Sequence, residues 1–463
     1  MISVTIIPKR LAGVLCGTAL TLVSLPAAAM TLSEALDRTI QHDPAVRSSI
    51  AQHDADQEND AEDRASRLPS VNVSGYGQYG RTASQGVFGS RAEKYPAWGA
   101  QLEARQPIFR LDWWARGDRA EAVEQRADEA LRERRNALLL RVAERYFDVL
   151  DARDAVDQRR REAEAVTESY EDAKNRFEVE LIPRTDLIEA QSRHDLAQAQ
   201  LLTAQRTLEN AQDALAEITG VYPETLPVLP PDRALPAIAP AALAPWIEAA
   251  EARNPALMQA KADWNVAQAN ARTAEAARVP EVDLVGRVGI DDSSEYQFGQ
   301  RLEDQVVGVE VTLPLYAGGA LAARERQSAA EVRVARAEFE RIRAETRRLV
   351  RERFRAVDSA RREAQAFAQA LASAKSAREA TENGYEAGTR TITDVLDATS
   401  RVAQAQRDLN ATRYRLLLNI LRLKETVGEM SAGDFVALDA LLRYDDTADA
   451  SAVETTESTE EAQ

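Results

Sequence analysis

Four stretches of the chain consist of strong helix formers and contain almost no Pro or Gly. They are rich in Ala, Glu, Arg, Gln and Leu, and they predict long helices at 112–180, 186–219, 320–383 and 394–427. The first helix would be roughly 100 Å long at about 1.5 Å per residue. A rod of this length does not fit inside a compact domain, so we expect an elongated molecule.

Along the second of these helices, side chains recur every seven residues. The spacing joins Leu187, Leu201, Leu208 and Leu215, and smaller or branched residues hold the intermediate positions Ala190, Ala197, Ala204, Ala211 and Ile218. This pattern is typical of a coiled-coil seam. His194 shares the seven-residue spacing, and we expect it to be a partly buried histidine of the seam rather than a ligand.

Two further segments, 71–109 and 282–316, contain apolar positions with a period of two. One face of each run is apolar and the other is mostly polar, as shown by Val282, Leu284, Val288, Ile290, Val307, Val309, Val311 and Leu313. The pattern predicts four strands, at about 71–80, 97–109, 282–290 and 305–316.

These strands leave two interpretations open. Runs of about ten alternating residues with nearby aromatic residues are the signature of an outer-membrane β-barrel, and the aromatic candidates here are Tyr76, Tyr79, Tyr95 and Trp98. A soluble hairpin that buries one face has the same pattern. The strands alone do not decide between the two.

The chain repeats itself. Asp43-Pro44 and Asn254-Pro255 lie 211 positions apart, and Thr185-Asp186 and Thr393-Asp394 lie 208 apart. The two repeats, 30–220 and 246–430, each read as helix, two strands, long helix, break and helix. Four strands are too few to close a barrel, and an open edge in lipid costs several kcal/mol per unpaired backbone group. Oligomerisation must therefore close any barrel.

The remaining segments lie at the ends of the repeats. Residues 1–29 have the layout of a secretory signal peptide and contain the only cysteine, Cys16. Residues 221–245 carry seven prolines and predict an extended connector rather than a packed element. The C-terminal region 431–463 ends in a tail in which every charged residue after Arg443 is acidic, and we expect this tail to be disordered.

Charge and hydropathy exclude two classes of function. The formal net charge is −17, which argues against a nucleic-acid partner bound through its phosphates. After the signal peptide, no apolar run reaches the roughly 20 residues of a membrane-spanning helix, so strands would have to cross any membrane.

The breaks between the long helices carry the most specific motifs. The segment 384–399, GYEAGTRTITDVLDAT, closely resembles the periplasmic entrance of the TolC-type outer-membrane efflux and secretion channels, and 177–186, FEVELIPRTD, resembles the matching break in the first half of that family. The resemblance also includes the duplicated Asn/Asp-Pro motif and the turn at 314–319. It covers nearly all of the chain from the signal peptide to about residue 430.

The resemblance implies a mainly α fold with a β-barrel portion. Three copies would form one twelve-stranded barrel in the outer membrane, continued by a twelve-helix tunnel through the periplasm. The implied function is a passive exit duct for drug efflux, type I protein secretion or both. A periplasmic adaptor and an inner-membrane RND or ABC transporter would recruit it, and it would need no cofactor, metal or catalytic activity.

The resemblance also assigns roles at the breaks. It implies a latch in which Tyr385 and Arg390 donate to Thr185 and Asp186, because several individually modest polar bonds can be exchanged when an adaptor arrives. One departure affects this latch. Glu180 stands where the family usually has Gly, and Pro183 and Arg184 follow it.

Asp394 and Asp397 are three positions apart and so share a helix face. In the implied trimer they would form rings of six carboxylates at the narrowest point, which predicts cation selectivity and block by multivalent cations. The alternative is helix capping, since Thr391 with Asp394 and Asp186 with Glu189 both have capping-box spacing. The two roles can coexist.

Two other classes of protein compete with the duct. A soluble periplasmic coiled coil explains the helices, and a periplasmic adaptor explains a helical hairpin, but an adaptor would be expected to flank one hairpin with compact β domains. An enzyme is disfavoured because no phosphate-binding loop or nucleophile elbow is present. His42 and His53 have no metal-site spacing. The sequence does not identify the cargo.

Overall fold

The computed structural model describes residues 30–86, 89–223, 225–231, 233–293 and 300–443. The predicted signal peptide and acidic tail lie outside these residues. The elements run α1 Leu32–His42, α2 Pro44–Ala65, β1 Ser70–Gly86, β2 Gly89–Phe109, α3 Asp112–Glu178, α4 Arg184–Thr219, α5 Leu243–Arg253, α6 Pro255–Ala276, β3 Glu281–Ser293, β4 Gln300–Thr312, α7 Ala320–Glu386, α8 Ile392–Val427 and α9 Ala432–Asp439.

The repeat in the sequence is a repeat in the structure. Helices α1 and α5 each have 11 residues, α2 and α6 have 22, α3 and α7 have 67, and α4 and α8 have 36. Asp43 and Asn254 precede α2 and α6 and accept from the backbone N–H groups of Ala45 and Leu257, each at 2.8 Å. The proline after each supplies a first helical residue that needs no N–H acceptor.

The long helices pack side by side in two rows. In one row α3 lies between α2 and α6, and α6 also packs on α7. In the other row α3 packs on α4 and α8, and α8 packs on α7. Each row therefore has four helices with two outer members, α2 and α7 in one and α4 and α7 in the other. No helix in the described ranges is both long and apolar enough to cross a membrane.

Two apolar clusters hold the rows together. The larger joins α1, α3, α4, α8 and α9, and its fully buried side chains include Tyr146, Phe147, Leu215 and Phe435. The smaller joins α5, α7 and α8 around Trp246, Val350 and Leu423. Because the same helix, α8, contributes to both clusters, the two repeats share one central helix.

A polar contact also joins α3 to α8 beside the larger cluster. Asp154 accepts hydrogen bonds from the Tyr414 hydroxyl at 3.0 Å and the Asn410 amide at 2.8 Å. Burial raises the pKa of Asp154 to about 6 in spite of these bonds. This carboxyl is therefore partly protonated in mildly acidic solution.

The predicted connector is more than a spacer. Leu226 and Leu229 are buried in the larger cluster, and Val228 exchanges two backbone hydrogen bonds with Arg443, at 2.7 and 2.9 Å. The expectation that 221–245 would not pack was wrong. Its prolines keep the backbone extended, but the leucines between them are apolar enough to be drawn into the core. The last three residues of the segment belong to α5.

The four strands form one antiparallel sheet in the order β1-β2-β3-β4. The β1–β2 hairpin continues well past the predicted strands, to Gly86 and Gly89, because polar residues continue the ladder after the apolar alternation stops. Conversely, β4 ends at Thr312, four residues before the predicted end, and Gly318 and Gly319 turn the chain with positive φ angles into α7. Strands β1 and β4 are the two edges.

The apolar face of this sheet is uncovered in the single chain. Val73 is 78% exposed and Val307 is 81% exposed, and neighbouring strands carry exposed apolar side chains on the same face: Val71, Leu102, Leu284, Val288, Val309 and Val311. The opposite face is charged. There, Arg105 contacts Asp283 at 3.0 Å and Glu310 at 3.2 Å, and Arg287 contacts Glu103 at 3.0 Å. A soluble hairpin would bury the apolar face rather than the charged one.

Candidate functional site

Two breaks, one in each repeat, interrupt the long helices at the end of the rods far from the sheet. Between α7 and α8, Gly388 takes φ 71°, and the N–H groups of Gly388 and Thr389 close the helix on the carbonyls of Tyr385 and Gly384. Between α3 and α4, Glu180 is at φ 56°, and the N–H of Leu181 bonds to the Arg176 carbonyl at 2.8 Å. The departure from Gly at 180 therefore keeps the left-handed turn, at a cost of about 1–2 kcal/mol.

The break before α8 ends in a capping box. The Thr391 side chain accepts from the backbone N–H of Asp394, and the Asp394 carboxylate accepts from the Thr391 N–H and hydroxyl, both at 2.9 Å. These bonds, and then the charge of Arg390, lower the pKa of Asp394. The carboxylate is exposed and stays ionised at neutral pH. The capping role predicted for Asp394 is therefore real, and it does not neutralise the charge.

The first break is different. Helix α4 begins at Arg184 after Pro183, which has no side-chain acceptor, so Asp186 lies inside the first turn and not at its start. The predicted capping box of Asp186 with Glu189 was wrong for this reason. Thr185 donates its hydroxyl to Asp186 at 3.2 Å, and both side chains are exposed. Asp186 adds negative charge to the positive end of the helix dipole.

The structure gives Tyr385 partners that the motifs did not indicate. Its hydroxyl lies 3.4 Å from the Asp172 carboxylate on α3, and the guanidinium of Arg176 lies 5.5 Å from the centre of its ring. Arg176 also pairs with Asp172 at 2.8 Å. Partial burial raises the pKa of Tyr385, so its hydroxyl remains a donor. Asp172, Arg176 and Tyr385 therefore join α3 to α7 near the second break.

The predicted latch is not formed within one chain. Among the described residues, neither Thr185 nor Asp186 is bonded to Tyr385 or Arg390. The backbone N–H of Arg390 bonds to the Gly384 carbonyl at 3.1 Å, and the stem of its side chain packs close to Gly384. Bonds from Tyr385 and Arg390 to Thr185 and Asp186 of a neighbouring copy stay a prediction.

Asp397 has a cation of its own. Arg193, on α4, contacts Asp397 at 2.7 Å and Glu189 at 3.0 Å. The two carboxylates of the predicted rings therefore differ, since Asp394 is bonded to neutral donors and Asp397 to a guanidinium. No sequence motif indicates this pair, because 204 positions separate its members.

His53 and His194 each lie against a neighbouring carboxylate. His194 stacks on Tyr170 with ring centres 5.3 Å apart and lies 3.2 Å from the Asp195 carboxylate, as suits a partly buried seam position. His53 contacts Asp128 at 2.9 Å. Within the described ranges, no group of three or more His, Cys, Asp or Glu side chains is arranged around a common point.

Comparison with known proteins agrees with this geometry. The family described as "Outer membrane efflux protein" matches residues 35–221 and 246–429, which are the two repeats without the connector. The outer membrane protein TolC of Vibrio cholerae is 31% identical, over 94% of this chain and 99% of its own length. The alkaline protease secretion protein AprF of Pseudomonas aeruginosa is 27% identical, over 92% of this chain and 90% of its own.

A solved structure shares the fold. The CmeC outer membrane channel of Campylobacter jejuni superposes with a TM-score of 0.73 at 15% identity, over 93% of this chain and 97% of the channel. The identity is too low to carry more than the architecture of helical rods and a four-stranded sheet. The family match over both repeats carries the rest: this chain belongs to the outer membrane efflux protein family.

Proposed function

We propose that three copies of this outer-membrane protein form a passive exit duct from the periplasm to the exterior. The observation that carries the proposal is the sheet with an uncovered apolar face and two unpaired edges, placed at the end of helices roughly 100 Å long. Lipid would cover the apolar face, and the charged face would line water. The helices would continue the duct through the periplasm.

Neighbouring copies would close the duct at every level. Strand β4 of one copy would pair with β1 of the next, which satisfies the backbone groups that an open edge leaves exposed to lipid. The outer helices of both rows, α7 on one side and α2 or α4 on the other, would meet in the same way. Four strands from each of three copies give a barrel of twelve, the number that the family resemblance implies.

The soluble coiled coil fits less well. It explains the rods and the seam, but it leaves the exposed valines of β4 without a cover. The adaptor alternative also fits poorly, because the strand pairs lie between the helices of each repeat and form one sheet rather than separate compact domains.

The duct would serve drug efflux, type I protein secretion or both. Similarity to the TolC and AprF proteins supports this range of cargo. An inner-membrane RND or ABC transporter would choose the cargo, and a periplasmic adaptor would recruit the duct. The helix breaks would form the gate, with Asp394 and Asp397 in rings and with Tyr385, Arg390, Thr185 and Asp186 as polar links between copies.

Asp394→Asn tests the duct and its ring together. In planar lipid bilayers, purified wild type is expected to conduct weakly with cation preference, and Asp394→Asn is expected to reduce the cation-to-anion permeability ratio about threefold or more. Asp358→Asn is the matched control, since it removes the same charge from α7 roughly 40 Å along the helix from the break. Purified trimers that never conduct would disprove the duct and favour the soluble coiled coil.

The polar links at the breaks predict a second result. Tyr385→Phe with Arg390→Ser is expected to raise mean conductance severalfold, because the closed state loses bonds and each 1.4 kcal/mol shifts its population about tenfold. Tyr170→Phe is the control, because it removes the hydroxyl of a nearby tyrosine. The ring of this tyrosine stacks on His194. Equal conductance in the double variant, the control and wild type would show that these side chains do not hold the gate closed.

A further inference from the structure

The carboxylates Asp394 and Asp397 lie one turn apart on α8 but have different electrical environments. Among the described residues, Asp394 accepts its hydrogen bonds from the neutral N–H and hydroxyl of Thr391, and the charge of Arg390 acts on it without a direct ion pair. Asp397 bonds to the Arg193 guanidinium at 2.7 Å, and its side chain is 46% exposed. A positive charge from a second helix, α4, therefore offsets part of the negative charge of Asp397.

Arg193 is held where it can act on that charge. A second bond, to Glu189 one turn earlier on α4, fixes the guanidinium between two carboxylates, and the arginine side chain is 32% exposed. The hydrogen bond that Arg193 donates to the Asp397 carboxylate raises the pKa of Arg193 further above its ordinary value, so the cation persists at every physiological pH. Neither residue of the capping box, Thr391 or Asp394, takes part in these two bonds of Arg193.

We infer that Arg193 sets the ion selectivity of the gate, because its direct ion pair weakens the negative charge of the Asp397 ring, whereas Asp394 feels Arg390 only at longer range and keeps more of its charge. The inference rests on the duct proposed above. It adds Arg193 to the carboxylates as a residue that determines ion selectivity. The ligand class is a multivalent cation entering from the periplasmic end. In a trimer, three guanidinium groups would oppose that cation, each held 2.7 Å from an Asp397 carboxylate.

The charge arithmetic makes the inference specific. Glu189, Arg193 and Asp397 together sum to one negative charge in each copy. Arg193→Gln makes the sum two negative charges, Asp397→Asn makes it zero, and the double variant returns it to one. Unit charges a few ångströms from a trivalent ion act strongly even in water, so each single change is expected to shift ion binding roughly tenfold.

The test is block of single channels by La³⁺ added to the periplasmic side. Arg193→Gln is expected to lower the half-blocking concentration roughly tenfold and Asp397→Asn to raise it roughly tenfold, while the double variant Arg193→Gln/Asp397→Asn returns to within about threefold of wild type. Arg193→Lys keeps the charge and is expected to restore wild-type block. Arg206→Gln, on the same helix roughly 20 Å away, is the control and is expected to leave block unchanged.

The outcomes separate this inference from the duct itself. If wild type conducts but Arg193→Gln matches Arg206→Gln, Arg193 does not set the selectivity and the duct still stands. If both single variants shift block in the same direction and the double variant shifts it further, the pair has only a structural role and the inference is overturned. If wild type does not conduct at all, both the duct and the inference are lost.

Discussion

Gly428→Ala is expected to lower the free energy of unfolding by about 4 kcal/mol, one of the largest effects of any single methyl group in this chain. Gly428 ends α8 with φ 79°, a conformation that costs an L residue about 1–2 kcal/mol. A Cβ at this position would also overlap the backbone carbonyl oxygen of Arg253 and lie 3.0 Å from its carbonyl carbon. Backbone atoms cannot rotate away as a side chain can, so the end of α8 would have to separate from α5.

Gly388→Ala is the matched control. Gly388 has φ 71°, but no atom lies within 4 Å of the position that its Cβ would occupy. Its substitution therefore isolates the conformational cost, about 1 kcal/mol. Gly220, the counterpart of Gly428 in the first repeat, is intermediate, because there the Cβ would meet the His42 ring at 2.6 Å and that side chain can move.

Thermal unfolding followed by the helical circular-dichroism signal ranks the three variants. The expected order of destabilisation is Gly428→Ala, then Gly220→Ala, then Gly388→Ala. Equal shifts in Tm for Gly428→Ala and Gly388→Ala would show that only the left-handed backbone matters and that the close approach of α8 to Arg253 relaxes easily.

The long helices could be predicted within a few residues because their ends carry local signals. Gly220 and Gly428 stop α4 and α8 in the left-handed conformation, and Gly319 precedes α7 in the same way. Helix α7 continues three residues past its predicted end, through Gly384, because the helix before this residue already packs and one Gly costs only about 1 kcal/mol. Local chemistry therefore fixed where the helices end to within about a turn.

The pairings between distant residues could not be predicted in the same way. Asp172 with Tyr385 and Arg193 with Asp397 are each more than 200 positions apart, and helices this rich in Arg and Glu offer many equivalent partners. Only the relative rotation of α3, α4, α7 and α8 selects among them. The motifs identified the residues of the breaks, and packing decided which of those residues meet inside one chain.

The packing of the connector could not be predicted for the same reason. Proline content indicates an extended backbone, and 221–245 is extended, but burial depends on what lies beside it. Leu226 and Leu229 meet an apolar surface that α1 and α9, the first and last helices of the described residues, form together with α3 and α8. No pattern within the connector reports the position of those helices.

Phe435→Ala is expected to cost about 4 kcal/mol, because this ring is fully buried in the larger cluster and its removal leaves a cavity. Phe435 lies on α9, an eight-residue helix that also fixes the start of the fold. The Asp439 carboxylate at its end accepts from the backbone N–H groups of Leu32 and Ser33 at 2.8 and 3.0 Å. Loss of Phe435 would loosen this cap on α1 as well as the core.

Val436→Ala provides the control on the next residue of the same helix. Val436 is 62% exposed, so its truncation is expected to change stability by less than about 0.5 kcal/mol. Unfolding in guanidinium chloride with detergent present gives the midpoints of both variants. A similar small shift for both would mean that α9 is a passive appendage. A large shift for Phe435→Ala alone would show that this short C-terminal helix joins the N-terminal segment to α8, and that the fold needs its last described helix to hold its first.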